Sequence, residues 1–238
     1  MFIYRILTSN SGISDKLVVT LASILAIFFS IIMHEVAHGY AAKLNGDYTA
    51  KSAGRLTLNP VVHFDLWGVL MMLLVGFGWA KPVPVNPANF RNRKLGMITV
   101  SLAGVITNLL LAGLSLLLLY LFAPLFVIPV TNAAAAVFRT LGLHFLLQMA
   151  SLNFMLAFFN LMPIYPLDGY NLVNTFLPYG NPYQRFMVRY GFFVLIGLIV
   201  LSQIGRAFNA PYLDIFGMFY DLVYKLIQRV LAAGLGVK

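Results

Sequence analysis

Cysteine is missing from all 238 residues, and its absence excludes disulfides and every thiolate metal site. Acidic side chains are scarce as well, seven Asp and Glu against sixteen Lys and Arg, and Glu35 is the single glutamate of the chain. Charged residues amount to 10%, where soluble domains carry about 25%. With 61% hydrophobic residues and a mean hydropathy of +0.86, an ordinary soluble domain is excluded. The net charge of +9 does not point to nucleic acid, because the basic residues stand in short clusters beside apolar runs. In that position they act as topology signals and contacts for anionic lipid.

What is present is a series of apolar runs. The first extends from Leu17 to about Leu44 and is closed by Asn45-Gly46-Asp47. It has no small-residue cleavage site and continues directly into polar residues, so it is read as a retained span rather than a secretory signal. Residues 48–65 contain an alternating piece, Gly54 to Leu58, that suits a short strand. Leu66 to Phe77 is too short to span and reads as re-entrant. In Trp79 to Pro87 three prolines forbid a helix and favour an extended edge. Further spans are expected at Leu95–Phe122, about Leu143–Met162 and about Phe186–Ile204. The last segment, Tyr212 to Leu235, either crosses the membrane or lies along its surface. The expected fold is an all-α polytopic membrane protein with four to five transmembrane helices, a re-entrant segment and short membrane-associated β-strands, forming one unit over residues 1–238 without an appended soluble module.

The far end of the first span reads His34-Glu35-Val36-Ala37-His38. Histidines four apart project from one helix face, so both imidazoles can reach one metal ion with Glu35 beside the open coordination position. A catalytic zinc usually has three protein ligands, and with no second glutamate the third must be a histidine or an aspartate. The candidates are His63, His144, Asp15, Asp47, Asp65, Asp168, Asp214 and Asp221.

Charge distribution narrows the choice. Lys43, Lys51, Arg55, Lys81, Arg91, Arg93 and Lys94 all lie between the first two long spans, which makes that side cytoplasmic. The connection 123–142 carries only Arg139 and fits the opposite side, so the chain returns to the cytoplasmic side near Pro163 to Asp168. Asp168 therefore arrives at the same side as His34 and His38, behind a helix-breaking Pro-x-x-Pro element, although Asp168-Gly169 also suits an ordinary interfacial turn. His63 and Asp65 are the next candidates, and a lone histidine there is more often a structural hydrogen-bonding group. Gly104, Asn108 and Ala112 recur every four residues and give a smooth packing stripe with one amide in its middle. Asn108 is either interhelical glue or a donor to an oxyanion formed at a peptide carbonyl.

These residues resemble the site-2 proteases, intramembrane zinc metalloproteases. His34-Glu35-Val36-Ala37-His38-Gly39 is similar to the family's first motif, Asn160-Leu161-Met162-Pro163-Ile164-Tyr165-Pro166-Leu167-Asp168-Gly169 to its second, and Gly104 to Asn108 to the intervening Gly-x-x-x-Asn. The likeness runs from about residue 17 to 178; Tyr170 and Val105 depart from the common pattern. It implies one zinc ion on His34, His38 and Asp168, with Glu35 and Asn108 as catalytic residues. It also implies cleavage of single-span membrane proteins within the bilayer of a prokaryotic plasma membrane, the site facing the cytoplasm. An intramembrane metal transporter and a non-catalytic membrane protein are the alternatives.

Overall fold

A chain with so few charges builds its structure from long helices, because inside a bilayer every backbone polar group must be satisfied within the protein. The computed structural model describes residues 12–65, 67–68 and 80–237. Helix α1 covers Ile13–Leu44, followed by two single-turn helices, α2 at Thr49–Ser52 and α3 at Pro60–His63. Helix α4 is Arg93–Val127, α5 Ala133–Leu161, α6 Asp168–Asn174, α7 Pro182–Ala207 and α8 Ile215–Gly234. Short 3₁₀ turns stand at Pro87–Asn89 and Pro211–Leu213.

Helices α1, α4, α5 and α7 are long and apolar enough to cross a membrane. At 1.5 Å per residue the 32 residues of α1 span about 48 Å, more than the hydrocarbon core requires. Helix α8, with Asp221, Lys225 and Arg229, is not among these four. It lays Val223 and Ile227 against Leu119 of α4 and Ala150 of α5, and its other side stays exposed.

The centre of the fold is a three-way contact of α1, α4 and α5. Small residues make it possible. The buried positions of α1 include Ser23, Ala26 and Ser30 before His34, His38 and Ala42, spaced three or four apart. Gly104, Asn108, Ala112 and Ser115 do the same on α4, and Ala150, Asn153 and Ala157 on α5. In lipid, where apolar surface gains nothing by leaving one hydrocarbon for another, such small faces let backbones approach and place any polar group at a helix contact.

Helix α1 ends where Gly46 takes φ +105°, and the amides of Gly46 and Asp47 close onto the carbonyls of Lys43 and Ala42. Asp47 is fully buried and gathers the following loop. Its carboxylate accepts from Thr49 N at 3.1 Å, the Thr49 hydroxyl, Asn86 N at 2.7 Å and Asn89 Nδ2 at 2.8 Å. Burial raises its pKa, but these donors outweigh it and hold the carboxyl below its ordinary value.

One expectation is corrected. Gly54 to Leu58 is turn and bend rather than strand, and among the described residues β-structure is reduced to one antiparallel bridge between Phe64 and Ala80. The physical reason is local satisfaction of polar groups. Arg55 N bonds Ala50 O, the Arg55 guanidinium bonds Lys81 O, and Thr57 O accepts from His63 Nε2 at 2.7 Å, so no ladder partner is needed. Of the expected extended edge at Trp79 to Pro87, Lys81 to Asn86 carry neither helix nor strand, and Pro87 already belongs to the 3₁₀ turn. The expected re-entrant segment Leu66–Phe77 lies outside the described residues apart from Trp67 and Gly68.

Candidate metal centre

Two turns of α1 and the first residue of α6 build the site. His34 and His38 sit on the buried face of α1, and Asp168 opens α6 just after the Pro163 to Pro166 break, which turns the chain back onto the end of α5. Gly169 allows this return. A Cβ there would stand 2.5 Å from Leu161 C and from Met162 O, so any larger residue would push α6 away.

Three atoms converge. His34 Nε2 and His38 Nε2 are 3.0 Å apart, and each lies 3.3 Å from Asp168 Oδ2. His38 Nδ1 donates to the Val100 carbonyl at 2.7 Å, and His34 Nδ1 donates to Asn108 Oδ1. With both protons on Nδ1, both Nε2 atoms present lone pairs toward a carboxylate oxygen that is buried and has no hydrogen-bond donor. Three acceptors facing one another repel unless a cation stands between them. Ligands about 2.0–2.1 Å from a tetrahedral zinc lie about 3.3 Å from one another, which matches the spacing here. The His₂Asp set fits a zinc ion.

Glu35 follows His34 on the same helix turn. Its Oε2 accepts from Val83 N at 2.9 Å, which ties it to the extended loop, and it shares with His34, His38 and Asp168 a cavity of about 380 Å³. Pro82, Val83, Asn160 and Asn171 also line that cavity. Asp47 is far along the same support, since it fixes the loop that carries Val83.

Asn108 is completely buried behind His34. Its Oδ1 faces the imidazole and its Nδ2 donates to Asn153 Oδ1 at 2.6 Å, so its link to the three-atom cluster runs through His34. Gly104, one turn before it, lies against the His34 ring; a Cβ there would come within 2.6 Å of both ring nitrogens. Among the other candidates, His63 is fully buried and bonded to Thr57 O, and Asp65 accepts from Gly68 N at 3.0 Å. Asp214 pairs with Arg206 at 3.1 Å and caps α8 through Gly217 N. Among the described residues only His34, His38 and Asp168 form a cluster able to hold a metal. Sequence reasoning missed Asn153 and Ser30, which continue the polar chain behind Asn108. Their only signal was that both are polar residues inside apolar runs.

Known proteins are similar to this chain over most of its length. The family model of peptidase family M50 matches residues 22–201, which contain all three clustered residues and Glu35. The protein named "Putative zinc metalloprotease YwhC" of Bacillus subtilis (strain 168) is 39% identical over 178 residues, covering 74% of this chain and 79% of its own. "Putative zinc metalloprotease Rip2" of Mycolicibacterium smegmatis is 31% identical over 206 residues, covering 82% of this chain and 68% of its own. No solved structure matches the chain significantly. With three quarters of its length under one family model, and the clustered side chains inside the matched region, this chain belongs to peptidase family M50.

Proposed function

We propose that the chain is an intramembrane zinc metalloprotease that hydrolyses peptide bonds within or near transmembrane segments of single-span membrane proteins. The observation that carries the reading is the convergence of three acceptor atoms from His34, His38 and Asp168 beside Glu35, in one cavity at the end of apolar helices. Membership in a peptidase family supports the hydrolytic chemistry, and the printed names of its relatives support zinc.

His34, His38 and Asp168 would hold the ion through Nε2, Nε2 and a carboxylate oxygen. When bound, zinc supplies a Lewis acid that acidifies water and polarises the scissile carbonyl. Glu35 then takes the proton of the attacking water and hands it to the leaving nitrogen. Its hydrogen bond from Val83 N fixes one carboxylate oxygen and leaves the other for this transfer. Pro82, Val83 and Val85 are among the residues that line the cavity, and a substrate stretch must unwind before its carbonyl is open to attack. The multi-pass arrangement with this end toward the cytoplasm rests on the seven basic residues between Lys43 and Lys94. Bacterial relatives support a prokaryotic plasma membrane.

The test is cleavage of single-span segments by the zinc-loaded chain in proteoliposomes, with products located by mass spectrometry. Glu35→Gln is expected to keep zinc and lose cleavage. A metal transporter would instead move zinc across the vesicle and cut nothing, which would overturn the proposal.

A further inference from the structure

The polar chain behind the histidines runs through three helices. Asn153 of α5 is fully buried, as is Ser30 of α1. Asn153 Nδ2 donates to Met149 O at 2.8 Å and to Ser30 Oγ at 2.8 Å, and the Ser30 hydroxyl donates to Met149 Sδ at 3.5 Å. Asn153 Oδ1 accepts from Asn108 Nδ2 at 2.6 Å, and Asn108 Oδ1 faces His34 Nδ1.

We propose that Asn153 is a positioning residue that locks His34 in its Nδ1–H tautomer, acting through Asn108. The inference rests on the reading that His34 is a metal ligand.

A backbone carbonyl can only accept a hydrogen bond, so the Asn153 nitrogen must face Met149 O. Its oxygen is thereby turned to α4 and can only accept, which requires the Asn108 nitrogen on that side. The Asn108 oxygen is left facing His34 Nδ1, which must carry the proton. The lone pair then resides on Nε2, directed at Asp168 and His38. One carbonyl of α5 thus sets the polarity of an imidazole three links away on α1. His38 needs no such relay, because its Nδ1 meets the Val100 carbonyl directly. Without Asn153, Asn108 can turn its amide over and present N–H to His34. The imidazole would then hold its proton on Nε2 and its lone pair away from the cavity, a form unable to join the other two ligands. Partners that orient metal-binding histidines typically contribute ~10–100-fold in metal affinity, and a residue one link further back is expected at the low end, ~10-fold.

The experiment uses the full chain labelled with ¹⁵N-histidine, metal-free in nanodiscs, with the His34 resonances assigned by their loss in His34→Ala. Long-range ¹H–¹⁵N correlation reads which ring nitrogen carries the proton, and zinc affinity is measured by chelator competition. Wild type is expected to carry a proton on Nδ1, whether or not Nε2 also takes one from the metal-free cluster. Asn153→Leu is expected to raise the population of His34 without a proton on Nδ1 and to weaken zinc binding ~10-fold. Asn153→Asp, whose neutral acid offers O–H toward Met149 and C=O toward Asn108, is expected to keep both wild-type properties. Leu119→Ala opens a cavity in the same α4–α5 packing and controls for a mere packing defect; it is expected to leave the His34 tautomer unchanged. The proposal is overturned if wild-type His34 carries no proton on Nδ1, if Asn153→Leu alters neither the Nδ1 proton nor the affinity, or if Leu119→Ala removes that proton as much as Asn153→Leu does. None of these readouts involves cleavage, so absence of proteolysis by wild type would defeat the protease reading alone.

Discussion

Gly104→Ala adds one methyl group at the closest approach of α4 to the candidate centre. That carbon would lie 2.6 Å from His34 Nδ1 and 2.6 Å from Nε2, whereas comfortable contacts between such atoms lie at about 3.5–4.0 Å. Relief requires the ring to retreat by about 1 Å or the two helices to separate. The ring has little room for retreat, since Asn108 holds Nδ1 and His38 meets its face edge-on at 4.6 Å between centroids. Metal–ligand distances tolerate only about 0.2 Å, so a shift of this size removes His34 from the coordination set. Loss of one of three ligands is expected to lower zinc affinity by more than ~100-fold, beyond what outer partners usually contribute, while overpacking lowers stability by about 1–3 kcal/mol. Zinc retained after equilibration with graded chelator, alongside circular dichroism to verify helicity, measures both. Gly113→Ala is the control on the same helix, because a Cβ there meets nothing within 4 Å. It is expected to bind zinc as wild type does. Should folded Gly104→Ala bind zinc within threefold of Gly113→Ala, the close packing of α4 on His34 would be irrelevant to the site and the reasoning refuted.

Other expectations follow from the same contacts. Asp47→Ala leaves three nitrogen donors and one hydroxyl without their acceptor and is expected to cost about 3 kcal/mol in thermal unfolding, with kcat falling more than zinc affinity because the loop that holds Glu35 through Val83 N is released. The pH response has a defined sign: the Asp47 carboxyl is lowered in the folded chain, so its contribution is complete above the ordinary carboxylate pKa of about 4 and is lost as pH falls through the lowered value. Melting temperature against pH in Asp47→Asn should therefore fall less steeply below about pH 4 than in the parent. Gly169→Ala, whose Cβ would meet the end of α5 at 2.5 Å, is expected to displace Asp168 and reduce zinc retention, with the helical content of α1 and α4 preserved.

The site was legible where it depends on periodicity and chemistry, and illegible where it depends on which atoms meet. A four-residue spacing puts His34 and His38 on one helix face whatever the rest of the chain does, and charge asymmetry alone brought Asp168 to the same end. The stripe of Gly104, Asn108 and Ala112 was visible for the same reason, since helical spacing is local. Gly54 to Leu58 misled because alternation signals a strand only if a partner supplies the ladder, and here the side chains of Arg55 and His63 satisfy the backbone instead. Asn153 and Asn160 look alike from sequence, two amides in one apolar helix seven residues apart. Their difference lies in what they face. Asn160 Nδ2 returns to Leu156 O on its own helix and the residue borders the cavity, while Asn153 reaches both α1 and α4. Only the crossing of three helices decides this, and the direction of the resulting chain is set by the Met149 carbonyl, a backbone atom that residue identity does not distinguish from any other. A polar residue buried between apolar helices therefore carries information in two parts: its presence, which a sequence displays, and its orientation, which packing alone imposes.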